Sequence, residues 1–231
     1  MQMINPWFRG GGILAAGLLL CSGLVATPAM AASITYIFTG DVREVNPLVS
    51  SQFNNSMTMK GSMTVINMVD QDTDPGDRSY GLYEVQSFNV TIGDYTAKLR
   101  PSSAGSIEIL NDTRTATGSL TDGLFAAMEH INGNNVNLLG PRFFAISLFG
   151  PGTLFGNDAL QMSPPSVSSF DEFNDFRLVF GLQGVPGVVS GVVTSLTAVP
   201  LPAAVLLFGA GLISLVGLGA GGLRNLRWAK T

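Results

Sequence analysis

Short alternating runs of apolar and polar residues recur from Ile34 to Leu196, and most end at turn-forming residues. Ile34-Thr35-Tyr36-Ile37-Phe38-Thr39 is rich in β-branched and aromatic side chains and stops at Gly40-Asp41. Met57 to Ile66 alternates so that Met57, Met59, Met63 and Val65 share one face. Val85 to Ile92 alternates more plainly, and Gly93-Asp94 turns the chain into Tyr95 to Leu99. Ile107 to Leu110 runs into Asn111-Asp112, which reads as a further turn pair. Other strands are expected at Val136 to Leu139, Phe143 to Phe149, Phe176 to Phe180 and Val188 to Leu196. The best helix signal covers Thr121 to Ile131. Gly150 to Ser169, with its prolines, glycines and serines, predicts a long surface loop, and Gly181 to Gly187 a shorter one. No repeat of fixed period occurs. The pattern predicts an all-β domain, an antiparallel β-sandwich of jelly-roll type.

The two flanks follow a different pattern. Near the N-terminus, Arg9 precedes an apolar stretch from Ile13 to Val25, Thr27-Pro28 break it, and Ala29-Met30-Ala31 supply small residues. Charge, short apolar core and small-x-small site together predict a secretory signal peptide over 1–31, cleaved before Ala32 and exported by the Sec machinery. Cys21 lies in this segment behind Leu20, which is too large for a lipoprotein box. At the other end, Leu201 to Gly222 carries no charged side chain. At ~1.5 Å per residue that run covers roughly 33 Å as a helix, enough to cross a bilayer. Pro200 and Pro202 favour extended chain, so the helix is expected to begin just after them. Arg224, Arg227 and Lys230 form a basic stop that should stay on the cytoplasmic side, with everything before it outside. The expected organisation is therefore 1–31 signal peptide, 32–198 exported domain and 199–231 tail.

The tail also resembles a sorting signal. Val199-Pro200-Leu201-Pro202-Ala203, the glycine-rich apolar run and the basic end are similar to the VPLPA variety of the PEP-CTERM tripartite tail. The basic end, Arg224-Asn225-Leu226-Arg227, is more spaced out than the arginine cluster that family often carries. The resemblance covers 199–231 alone. It implies an exosortase, a membrane-embedded cysteine transpeptidase, as processing partner, and association with exopolysaccharide. A permanent single-pass anchor that keeps its helix is the alternative reading of the same residues.

Charge narrows the choice of partners. All 16 acidic residues fall between the two flanks, but four of the 12 basic ones (Arg9, Arg224, Arg227 and Lys230) lie in the flanks, which leaves the domain at −8. A surface of that sign repels phosphate backbones, so no nucleic-acid partner is expected. Cys21 is the single cysteine. Once the signal peptide is removed the domain can form neither a disulfide of its own nor a thiol-based site, and its stability must come from packing.

Candidate chemistry is sparse. Asp70, Asp72, Asp74 and Asp77 could converge on a hard cation, since Ca²⁺ takes six to eight oxygen ligands. The EF-hand positions that require Gly and Glu hold Pro75 and Gly81 here, so that motif is absent. An acidic, solvated hairpin loop is the favoured reading, and no cofactor other than this candidate calcium is expected. Asp171-Glu172 and Asp175 offer paired carboxylates of the kind glycoside hydrolysis needs, or simply a surface turn beside buried Phe170, Phe173 and Phe176. His130, the single histidine, has no nucleophile partner motif and reads as a partly exposed helix or loop residue. Both tryptophans lie in the flanks, so Tyr36, Tyr80, Tyr83 and Tyr95 remain as sugar-stacking candidates, with core packing the favoured use. No nucleophile elbow, phosphate-binding glycine loop or zinc signature occurs. The expectation is a non-enzymatic exported protein of the cell surface or extracellular matrix, with a secreted polysaccharide-active enzyme as the runner-up.

Overall fold

A computed structural model describes residues 33–66, 70–71, 76–181, 184 and 186–201. The signal peptide, the apolar run beyond Leu201, the basic stop, Asp72 and Asp74 lie outside the described residues. The fold is all-β: β1 Ser33–Val45, β2 Thr58–Val65, β3 Tyr80–Val85, β4 Ser87–Ile92, β5 Tyr95–Leu99, β6 Gly105–Arg114, β7 Leu120–Met128, β8 Ile131–Gly133, β9 Pro141–Pro151, β10 Phe173–Phe180 and β11 Gly187–Leu201. Among the described residues every pairing is antiparallel, and these 11 strands form one sheet in the order β3-β6-β7-β9-β10-β11-β1-β2-β4-β5-β8. Among the described residues no helix is long and apolar enough to cross a membrane.

This sheet must curl. Phe144 of β9 lies 4.9 Å, centroid to centroid, from Phe88 of β4 and 5.8 Å from Phe38 of β1. Five strand spacings of ~4.8 Å would part β9 and β4 by roughly 24 Å in a flat sheet. The inward residues of both halves therefore share one core. A second aromatic group joins Phe53, Tyr95 of β5 and Phe180 of β10, with the Tyr95 and Phe180 rings 5.4 Å apart. Burial follows the alternation read from the sequence: Ile34, Tyr36 and Phe38 point in along β1, and Phe88, Val90 and Ile92 along β4.

The buried tyrosines fill the core and reach out of it by their hydroxyls. Tyr36 donates to Gln161 O at 3.0 Å, Tyr83 to Asp158 O at 3.1 Å and Tyr95 to Asn134 O at 2.9 Å. Burial pushes the Tyr83 phenol up to about 12, so it stays a donor at ordinary pH. The first two bonds pin the long loop between β9 and β10 across edge strand β3, where Gly81 meets the carbonyl of Asp158 with no room for a side chain. Phe155, Leu160 and Phe170 bury themselves from this loop, so it is part of the core rather than a free surface excursion.

Several local expectations are corrected. Thr121 to Ile131 is not a helix: Leu120–Met128 is β7, held on both sides by β6 and β9. Its leucines, alanines and methionine carry helical propensity, but two flanking ladders and burial of nearly every side chain outweigh it. Asn111-Asp112 is not a turn but a bulge within β6. Leu110 faces Gly123 and Thr113 faces Thr121, leaving two residues opposite Asp122, and Asp112 takes a φ of 53°. Bulges and turns both call for a residue that tolerates the left-handed region, which is why Asn-Asp suits either. Val136 to Leu139 is not a strand but a tight turn closed by an isolated Val136–Leu139 bridge. Phe173 is exposed, whereas Phe170 and Phe176 are buried.

Candidate functional site: a groove at one end of the sheet

Most of the described acids singled out in the sequence serve backbone amides or neighbouring side chains. Asp70 Oδ1 accepts from Leu82 N, and Asp77 Oδ1 accepts from Ser79 N, both at 2.9 Å. Hydrogen bonds from the Ser79 side chain and backbone hold the exposed Asp77 carboxyl below its usual range. Among the described residues no three ligating side chains gather as a metal site would require. Glu172 accepts the Thr121 hydroxyl at 2.8 Å, and Asp175 pairs with Arg177 at 2.6 Å. Burial raises the Asp175 carboxyl, against the opposing pull of Arg177. Glu172 and Asp175 are thus tied to sheet residues rather than presented as a facing pair.

Sequence reasoning missed Asp122. Alternation along β7 turns Asp122, Leu124, Ala126 and Met128 inward, and the carboxylate is fully buried. Oδ1 accepts from Asp112 N, and Oδ2 accepts from Leu154 N and Phe155 N, each at 2.7 Å. One carboxylate therefore satisfies the amide freed by the β6 bulge and two amides of the long loop, in the manner of a buried charge compensated by hydrogen bonds. Its signal was available: a charge at an inward position of an alternating run. Next to it, Asn111 donates through Nδ2 to Arg78 O at 3.1 Å, and its buried Oδ1 has no partner among the described residues.

The opposite end of the sheet carries an open groove of about 1030 Å³. Its floor is Phe143 of β9 and Val179 of β10, a cross-strand pair whose side chains are half-buried on the outer face. The next pair in the ladder is Pro141 with Phe180, which leaves Arg142 unmatched as a bulged residue. A bulge redirects a side chain, and here it redirects a guanidinium. Among the described residues nothing pairs with that guanidinium. Arg100, just after β5, donates from its backbone N to His130 O at 2.9 Å and from Nε to Ile131 O at 3.2 Å, which fixes the root of its fork beside the groove. Glu129 and His130, exposed between β7 and β8, complete the polar rim. His130 is thus a loop residue.

The fourth wall is the turn at Val136 to Leu139. Asn137 and Leu138 both have positive φ, 47° and 70°, the arrangement of a primed two-residue turn. Asn137 is held at both ends of its amide: Nδ2 donates to Leu48 O at 2.8 Å, and Oδ1 accepts from Ser51 Oγ at 3.2 Å. The turn is therefore anchored to the segment after β1. Leu138 is 94 % exposed at the groove lip, in a conformation costly for a leucine. Arginine forks, an apolar floor and a fixed apolar lip suit a ligand with a negative group on a partly apolar frame. Comparison with protein-family models, with curated proteins and with solved structures finds no match for this chain.

Proposed function

We propose that this chain is an exported, non-enzymatic β-protein of the cell surface or extracellular matrix. In this reading the Sec machinery exports it, an exosortase-like enzyme processes its tail, and exopolysaccharide is its surrounding. The curled sheet then acts as a jelly-roll-like sandwich, its two halves facing each other across the shared core.

The observation that carries the proposal is the tail, in which the VPLPA-type motif, the uncharged run from Leu201 to Gly222 and the basic end follow one another. The fold supports it by where the chain enters and leaves. β1 begins at Ser33, two residues past the expected cleavage point, and Ser33 pairs with Leu201, the third residue of the motif. Both apolar flanks thus join one end of one ladder, and in the precursor that end faces the membrane. Val199 and Pro200 pair with Thr35 and Ile34, while β10 leaves β11 at Gly191, so this stretch of β11 is bonded along one side only. Proline is acceptable in such a half-paired strand. The test is the intact mass of the protein recovered from its native cells. Loss of both 1–31 and the apolar and basic parts of the tail is expected. A recovered chain that keeps the run to Gly222 and the basic residues overturns processing and leaves a permanent anchor.

A further inference from the structure

We infer that the groove between β9, β10 and the Val136–Leu139 turn binds an acidic carbohydrate of the uronic-acid type. Its carboxylate pairs with the Arg142 and Arg100 guanidinia, and its ring lies on Phe143 and against Leu138. The carboxylate part of this assignment stands on the groove alone, and the carbohydrate part rests on the proposed matrix association.

Three features converge there, the first two read from the groove itself and the third resting on the proposed function. The first is the β9 bulge, which breaks a regular ladder at Arg142 and leaves its charge without a protein partner among the described residues. In a domain of net charge −8 a free cation in a concavity selects for anions. The second is Leu138, exposed and left-handed on a turn whose neighbour Asn137 is bonded to two points of the chain after β1. Such a residue gains from contact with an apolar surface and needs no rearrangement to make it. The third is position. β11 starts beside the groove at Gly187, which pairs with Phe180, and ends at Leu201, so the groove and the membrane-facing end lie at opposite ends of a 15-residue strand. At ~3.3 Å per residue that separation is roughly 46 Å along the strand, which points the groove away from the membrane.

The fold also argues against other occupants. β9 and β10 are paired on both sides, so the floor offers a peptide no free strand edge to extend. Among the described residues Glu129 is the one acid on the lining, and it sits at the rim with His130, where both can exchange hydrogen bonds with sugar hydroxyls.

The test is calorimetry on the full chain in detergent. The probes are an oligogalacturonate, a neutral glucan oligomer of equal length, a short acidic peptide and inorganic sulfate. The oligogalacturonate should bind at least about tenfold more tightly than the other three, and its affinity should fall with salt. Arg142→Gln should weaken it roughly tenfold or more, Arg142→Lys by less because charge survives without the fork, and Leu138→Gly about threefold, with melting checked for each. Equal binding of neutral and acidic oligomers, equal binding of the peptide, or unaltered affinity in Arg142→Gln overturns the inference. If Arg142→Gln does not fold, Arg142→Lys and Leu138→Gly decide, and wild-type affinity in both overturns it. Binding is read on the unprocessed chain, so this result is independent of the mass measurement that tests the tail.

Discussion

The two ends of the sheet treat charge in opposite ways. At the end where the termini meet, Asp122 is buried and accepts three backbone hydrogen bonds, at 2.7 Å each. At the other end Arg142 is exposed, bulged out of its ladder and unpaired among the described residues, beside Glu129 and His130. Each end has a β-bulge. In β6 the bulge directs an amide into the protein, and in β9 it directs a side chain out of it. The same departure from regular pairing thus closes one end and opens the other. Charge saturated by the chain's own amides holds the fold together, and charge left unsaturated in a concavity is free to bind.

The comparison breaks most visibly at Asp122. Asp122→Ala strands three amides, and unfolding by urea should show a loss of about 3 kcal/mol or more. A loss below ~1 kcal/mol would mean that water serves those amides and that the closed end is not closed. Leu138→Gly should act in the other direction, raising stability by about 0.5–1 kcal/mol through relief of the left-handed strain, while weakening the proposed binding. A fall in stability would show that Leu138 packs on the domain instead of waiting for a ligand. Arg142→Gln should leave unfolding within ~0.5 kcal/mol of the parent, because among the described residues the guanidinium has no partner to lose. Its effect belongs in the binding isotherm.

The smallest expected effect lies between the two ends, at Glu108 of β6. Burial raises its carboxyl above the ordinary 4.5, partly countered by a hydrogen bond from Tyr80. The folded state therefore holds this proton more tightly than the unfolded chain does. Its contribution is fully present below 4.5 and is lost as pH rises through the elevated folded value. Glu108→Gln should flatten the fall in urea midpoint on that alkaline side, and an unchanged pH profile would show that Glu108 is solvated in both states.

Alternation was enough to establish the all-β class and several of its strands. Ile34 to Thr39, Met57 to Ile66 and Tyr95 to Leu99 became β1, β2 and β5, and in β2 the face expected to carry Met59, Met63 and Val65 is the buried one, because a period of two is a local property of the chain. The composition of the flanks set them apart from the strand-forming stretch between them. Other features depend on contacts far apart in sequence. The strand over Leu120–Met128 exists because β6 and β9 flank it, and Asp122 is tolerated inside because amides 10, 32 and 33 residues away meet it. The groove is assembled from segments as distant as Arg100 and Gly181. Arg142 becomes conspicuous only when the register of β9 against β10 skips it. A residue's own neighbours set its strand and its face, but the pairing of remote strands, and the charges left over once they pair, are decided by tertiary packing.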